Sequence, residues 1–218
     1  MMNTRCNAYL LMLVIGVGLF NLGCKRGEDD PFFTLLSRKS RITGVWTLEK
    51  GDWSVKHRSA TDVDSTYTFS DGKVTLTAQG VKLDPYELDQ TFQLNSDGDY
   101  EIYGERTFPA NFNNATSPEY VIKRTQNGFW QFGSGNGDVP AKSELILQQA
   151  LYQQTYAIGA NVDVVDVDNP MTAFVYGLKK LTNDEMVLTY DEIYSDRFGR
   201  ILRSGTLTYK KTKGQADI

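Results

Sequence analysis

From Ile42 onward the chain is a run of short apolar-polar alternations punctuated by turn residues, and this period of two constrains its fold more than any other feature. Ile42, Gly44, Trp46 and Leu48 fall on one face of a strand, and Val63, Tyr67 and Phe69 on one face of the next. Asp71-Gly72 then predicts a tight hairpin into Val74, Leu76 and Ala78. Leu88, Phe92 and Leu94 alternate with Asp89, Thr91 and Gln93 before Ser96-Asp97-Gly98 turns the chain into Tyr100 and Ile102. Tyr120 and Ile122 lead to Asn127-Gly128, which predicts a third hairpin returning through Phe129, Trp130 and Phe132.

Gly133-Ser134-Gly135-Asn136-Gly137-Asp138 is expected to be a loop. Leu145 and Leu147 open a less regular stretch to Ile158, where Gln148, Gln149, Gln153 and Gln154 dilute the pattern; strands are favoured there over a short helix. Phe174, Tyr176 and Leu178 form one strand face, Asn183-Asp184 turns, and Met186, Leu188 and Tyr190 form the next. Leu207 and Tyr209 belong to a final strand over about 201–210. So many strands joined by hairpins predict an all-β fold, an antiparallel up-and-down barrel or a sandwich.

The N-terminal part follows different rules. Arg5 precedes an apolar run from Tyr9 to Phe20, the pattern of a secretory signal, and the run ends in Asn21-Leu22-Gly23-Cys24. A small residue directly before cysteine predicts cleavage there, with residues 1–23 as a lipoprotein signal peptide and Cys24 as the site of lipid attachment. Leu22 stands two residues before the cysteine, where leucine is commoner three before; a soluble secreted form and an uncleaved anchor are the alternatives. Each buried methylene of an acyl chain adds about 0.8 kcal/mol of membrane affinity, so several chains on one residue hold firmly. Residues 24–30 carry Lys25, Arg26, Glu28, Asp29 and Asp30 and read as a charged tether. Asp30-Pro31 marks a helix start, and Phe32, Phe33, Leu35 and Leu36 predict a short amphipathic helix to about Arg41.

Residues 31–218 are expected to form one domain, long enough for a full core and short for two. The 23 basic and 27 acidic residues are scattered, so no nucleic-acid footprint is visible. Cys6 lies in the leader and Cys24 is the lipid site, which leaves the domain without disulfide or thiol chemistry. His57 alone cannot make a usual zinc site, and the common hydrolase and phosphate-loop motifs are absent. No cofactor is called for. Asp163, Asp166 and Asp168 before Pro170 offer oxygen ligands for calcium, but their alternation with valines suits a strand equally. Asp191 with Glu192, or Glu101 with Glu105, are the carboxylate pairs to consider for glycoside hydrolysis.

Gly44-Val45-Trp46 at the start of the first strand, after a short helical segment, resembles the G-x-W signature of lipocalin-like barrels. With the lipoprotein leader, the acidic tether and the repeated Asp-Gly turns, the chain resembles the lipocalin-like lipoproteins common in Bacteroidota over roughly residues 42–211. That resemblance implies Trp46 packed across the closed end of a barrel, beneath an arginine from near the end of the domain. Arg203 is the expected one because it shares parity with Leu207 and Tyr209, and Arg200 is the alternative. It also implies that Glu28-Asp29-Asp30 is a surface-export signal, beside the plain reading of a solvated linker.

The function expected from these features is a lipid-anchored, non-enzymatic binding or interaction module of the outer membrane, on its periplasmic side or at the cell surface. The barrel would hold a small apolar ligand or be solid. An accessory subunit of an envelope complex is the alternative, with an envelope protein as partner, and a hydrolytic enzyme comes third.

Overall fold

The computed structural model describes residues 36–58, 63–112, 116–133, 142–167, 172–196 and 199–212. The leader, Cys24, the charged tether, Asp30-Pro31 and most of the 133–138 loop lie outside these residues. Within these residues helix α1 (Arg38–Ile42) is followed by β1 (Gly44–Arg58), β2 (Val63–Ser70), β3 (Lys73–Ala78), β4 (Val81–Lys82), β5 (Tyr86–Leu94) and β6 (Asp99–Phe108). Then come β7 (Tyr120–Phe132), β8 (Glu144–Ile158), β9 (Asn161–Val167), β10 (Ala173–Leu181), β11 (Glu185–Asp196) and β12 (Gly199–Lys211).

The strands form one antiparallel meander, closed where β10 pairs with β8 and where β12 pairs with β1. The all-β barrel expected from the alternation is therefore present, with ten strands in the closed wall. Asp71 and Gly72 both take positive φ at the β2–β3 hairpin, the mirror-image turn geometry that matches strand twist. At the β5–β6 turn Asp97 accepts a hydrogen bond from the Asp99 amide at 3.0 Å. Glutamine-rich 144–158 is a single long strand, not a strand pair.

Two expectations are corrected. Asn127-Gly128 makes no hairpin: β7 runs through it and pairs along its length with β8, with a bulge between Asn127 and Gly128. A Cβ on Gly128 would lie 2.0 Å from the Gln148 carbonyl oxygen and 2.8 Å from the Ala150 nitrogen. The glycine is there for close backbone approach at a bulge, which in sequence looks the same as a turn signal. The helix, within the described residues, is short and capped by Ser37, whose Oγ accepts from the Ser40 amide at 3.0 Å.

The barrel tapers because its strand count changes along its axis. At one end Gly44–Thr47 of β1 pairs directly with Thr91–Leu94 of β5, which leaves eight strands around the wall. Farther along, β1 pairs from Lys50 with β2, and β2 and β3 enter between β1 and β5. Barrel diameter grows with strand number, and about eight strands leave an interior that side chains just fill. The narrow end is filled accordingly by Trp46, Leu94, Leu145, Leu147, Leu181, Met186 and Leu188, all buried. α1 lies at this end, with Ile42 buried and the Arg41 guanidinium donating to the Leu181 carbonyl.

Candidate functional site

Trp46 sits where the resemblance implied, at the closed end and fully buried, its Nε1–H donating to the Ile42 carbonyl at 2.7 Å. Its cation is not Arg203. Lys211 pairs with Trp46 across β1 and β12 and places Nζ 5.2 Å from the ring centroid, then donates to the Arg41 carbonyl at 3.1 Å. Gly44 makes room for this: its φ is +127°, and a Cβ would lie 2.6 Å from Lys211 Cε. Arg203 instead pairs with Val55, nine positions along β1 from Trp46, a distance on the order of 30 Å at about 3.3 Å per residue. Its inward parity was read correctly and its partner was not, because pairing register rather than parity decides which layer a side chain occupies. Arg200 pairs with Arg58, farther still from Trp46, and is exposed.

What Arg203 does face is a cavity of about 170 Å³ in the wider part of the barrel. Arg106, Arg124 and Arg203 line it together with Glu192 and the amides of Gln90, Gln126 and Gln154. Trp53, Phe174, Tyr176 and Tyr190 supply aromatic surface. The wall is thus not the apolar lining a fatty ligand would need. Among the described lining residues three guanidinium groups stand against one carboxylate, in a chain whose formal net charge is −4.

Alternation along each strand explains the lining. In β6, Tyr100, Ile102, Gly104 and Arg106 share the inward face; in β7, Ile122, Arg124 and Gln126 do; in β12, Arg203 shares it with Leu207 and Tyr209. The floor is a polar relay over the apolar end. Arg124 donates to Gln126 Oε1 at 3.1 Å, and Gln126 Nε2 donates to the Tyr100 hydroxyl at 2.9 Å. Gln90 Nε2 donates to the Tyr209 hydroxyl at 2.7 Å. On β8, the Tyr152 hydroxyl donates to Gln154, whose amide donates to Tyr156. The Arg124 guanidinium also lies 4.7 Å from the Tyr152 ring centroid. By contrast, the side chains of Arg106, Arg203 and Glu192 make no hydrogen bond or ion pair with the described residues, although Glu192 and Arg203 are directly paired positions.

Burial tunes these groups. It pulls the Arg124 guanidinium below its ordinary value, with repulsion from Arg106 and Arg203 acting in the same direction. It pushes the Tyr190 hydroxyl up to about 12, with Arg203 opposing and Glu192 reinforcing the rise, and it raises Tyr176 as well. Both phenols are neutral donors at physiological pH, as an unperturbed phenol also is. Beside the cavity, Tyr86 and Tyr120 stack on Phe108 at 4.6 and 4.5 Å, and Phe112 from the β6–β7 connection packs edge-on against Phe108 at 4.9 Å. This aromatic cluster walls one side of the wide end.

The nominated acids do not gather. Asp191 and Glu192 are consecutive in β11 and alternate in direction, with only Glu192 in the cavity. Glu105 lies on the outer face, accepting from the Tyr103 hydroxyl at 2.7 Å and paired with Lys123 at 3.1 Å. Asp163 is exposed on β9, and the side chain of Asp166 and all of Asp168 lie outside what the structure describes. No group of three potential metal ligands forms among the described residues. His57 is in β1, paired with Ile201 and Val63, and is not part of the cavity wall. Arg106 and Arg124 were not distinguishable as site residues in sequence; their only signal is an arginine at an inward position of an alternating strand.

No protein-family model, curated protein or solved structure matches the chain. Among the described residues no helix is long and apolar enough to cross a membrane.

Proposed function

We propose that this chain is a lipid-anchored protein of the outer membrane whose barrel binds a small molecule without transforming it. The observation that carries the binding reading is the cavity itself, a space lined by several inward polar side chains in a barrel whose other end is packed solid. One carboxylate, Glu192, lies in the described wall, and a second acid to complete a hydrolytic pair is not beside it there. The anchor rests on the apolar leader and Gly23-Cys24, and the tether at 24–30 would hold the barrel clear of the bilayer surface.

The test is purification from membranes in mild detergent, followed by mass spectrometry of extracted small molecules and labelling with a fatty-acid precursor. A recovered small molecule and label lost in Cys24→Ala are the expected results. Label retained in Cys24→Ala rules out the anchor, and a barrel that yields no small molecule and binds none rules out the carrier.

A second reading, an accessory subunit that docks an envelope protein, draws on the β8–β9 hairpin. β9 pairs only with β8 among the described residues, and Leu151, Val162, Val164 and Val175 are exposed on β8, β9 and the adjoining β10. Co-purification of one stable envelope protein, lost in Val164→Lys, is its expected signature.

A further inference from the structure

We propose that the lumen selects a compact oxyanion, a carboxylate or phosphate group on a small apolar or aromatic body, seated on Arg106, Arg124 and Arg203. This rests on the reading of the cavity as a binding site and adds the charge and size of what it takes.

The argument begins with what three inward arginines require. A guanidinium keeps its charge at any physiological pH, so the lumen cannot relieve their mutual repulsion by losing protons from these groups. Arg124 and Arg203 are half-buried and Arg106 is exposed at the mouth, so like charges are held together on one partly desolvated wall of a barrel that fills its narrow end with leucine. Arg106 and Arg203 nevertheless face the space with no hydrogen-bond or ion-pair partner among the described residues, while Arg124 is already oriented by Gln126 and Tyr152. Glu192, the one carboxylate lining the cavity among the described residues, pairs with none of them. An oxyanion would accept from the guanidinium groups in short charge-assisted bonds, and the hydroxyls of Tyr176 and Tyr190 are further donors on the same wall.

Size and shape narrow the ligand further. A volume of about 170 Å³ is comparable to the roughly 150 Å³ cavity that takes benzene, so a ring the size of benzoate fits. Trp53, Phe174 and Leu207 give such a body an apolar surface to lie against.

The experiment is calorimetric titration of the full chain, extracted from membranes in mild detergent, with matched probes: benzoate and phenyl phosphate against the neutral benzamide and benzyl alcohol. The anions are expected to bind at least tenfold more tightly than their neutral counterparts. Arg203→Gln and Arg106→Gln should each weaken benzoate about tenfold. Glu192→Gln should strengthen it severalfold by removing the opposing charge, a gain that damage to the fold cannot produce. Equal or tighter binding of the neutral probes, or no gain in Glu192→Gln, overturns the charge assignment while leaving the cavity a binding site. Silence from all four probes, with no small molecule recovered from the purified protein, overturns both.

Discussion

Glu185 shows how one side chain ties the barrel wall together. Its carboxylate meets Lys180 of β10 at 2.7 Å and Lys210 of β12 at 2.8 Å, bridging the two strands that flank its own. Hydrogen bonds from both lysines hold its pKa down to about 2. A depressed folded pKa means that the stabilisation is present above the unfolded value of about 4.3 and is lost as pH falls toward the folded one. The group is partly exposed, so solvent screening limits the pair of bridges to about 1 kcal/mol. Glu185→Gln should therefore lower stability by up to that amount at pH 7, with the gap between variant and parent narrowing as pH falls from 4.3 to 2. Urea unfolding at several pH values measures it, and a gap that does not change with pH would contradict the assignment. At this scale the sequence was legible for Trp46 and Gly44. It was not for Lys211, because a lysine beside a chain end carries no mark of the ring it will cover.

Strands were the most legible elements, since inward and outward residues alternate locally and need no knowledge of neighbours. The error at Asn127-Gly128 has an equally local cause: glycine signals either a turn or a close approach, and only the Gln148 carbonyl at 2.0 Å from a would-be Cβ tells them apart. Gly128→Ala should accordingly cost about 2 to 3 kcal/mol by forcing β7 and β8 apart at the bulge, read as a fall in the denaturant midpoint. A true turn glycine would tolerate alanine at smaller cost if its φ were negative. β9 is the weakly held element, paired on one side only among the described residues. Its amides directed away from β8 should exchange with deuterium far faster than those of β1, which has neighbours on both edges. Uniform protection of β9 would mean that its outer edge is covered.

At the scale of the whole molecule, the narrow end acts as the shared core of eight strands, so Leu147 packs into a cluster contributed by most of the chain. Leu147→Ala should destabilise the barrel by about 2 to 5 kcal/mol, with tryptophan fluorescence and circular dichroism changing together in a single transition. Separate transitions for the two probes would mean that the two ends unfold independently. The period of two, the Asp-Gly turns and the inward parity of Arg203 were determined by the sequence alone, because each depends on residues within a few positions of one another. The taper, the Lys211–Trp46 contact and the meeting of Arg106, Arg124 and Arg203 were decided only by tertiary structure. Parity says that a side chain points inward, but register across a closed wall decides how far along the axis it sits and what it meets there. Arginines at positions 106, 124 and 203, scattered along the chain, therefore become one electropositive lumen only once the pairing of β8 with β10 closes the barrel.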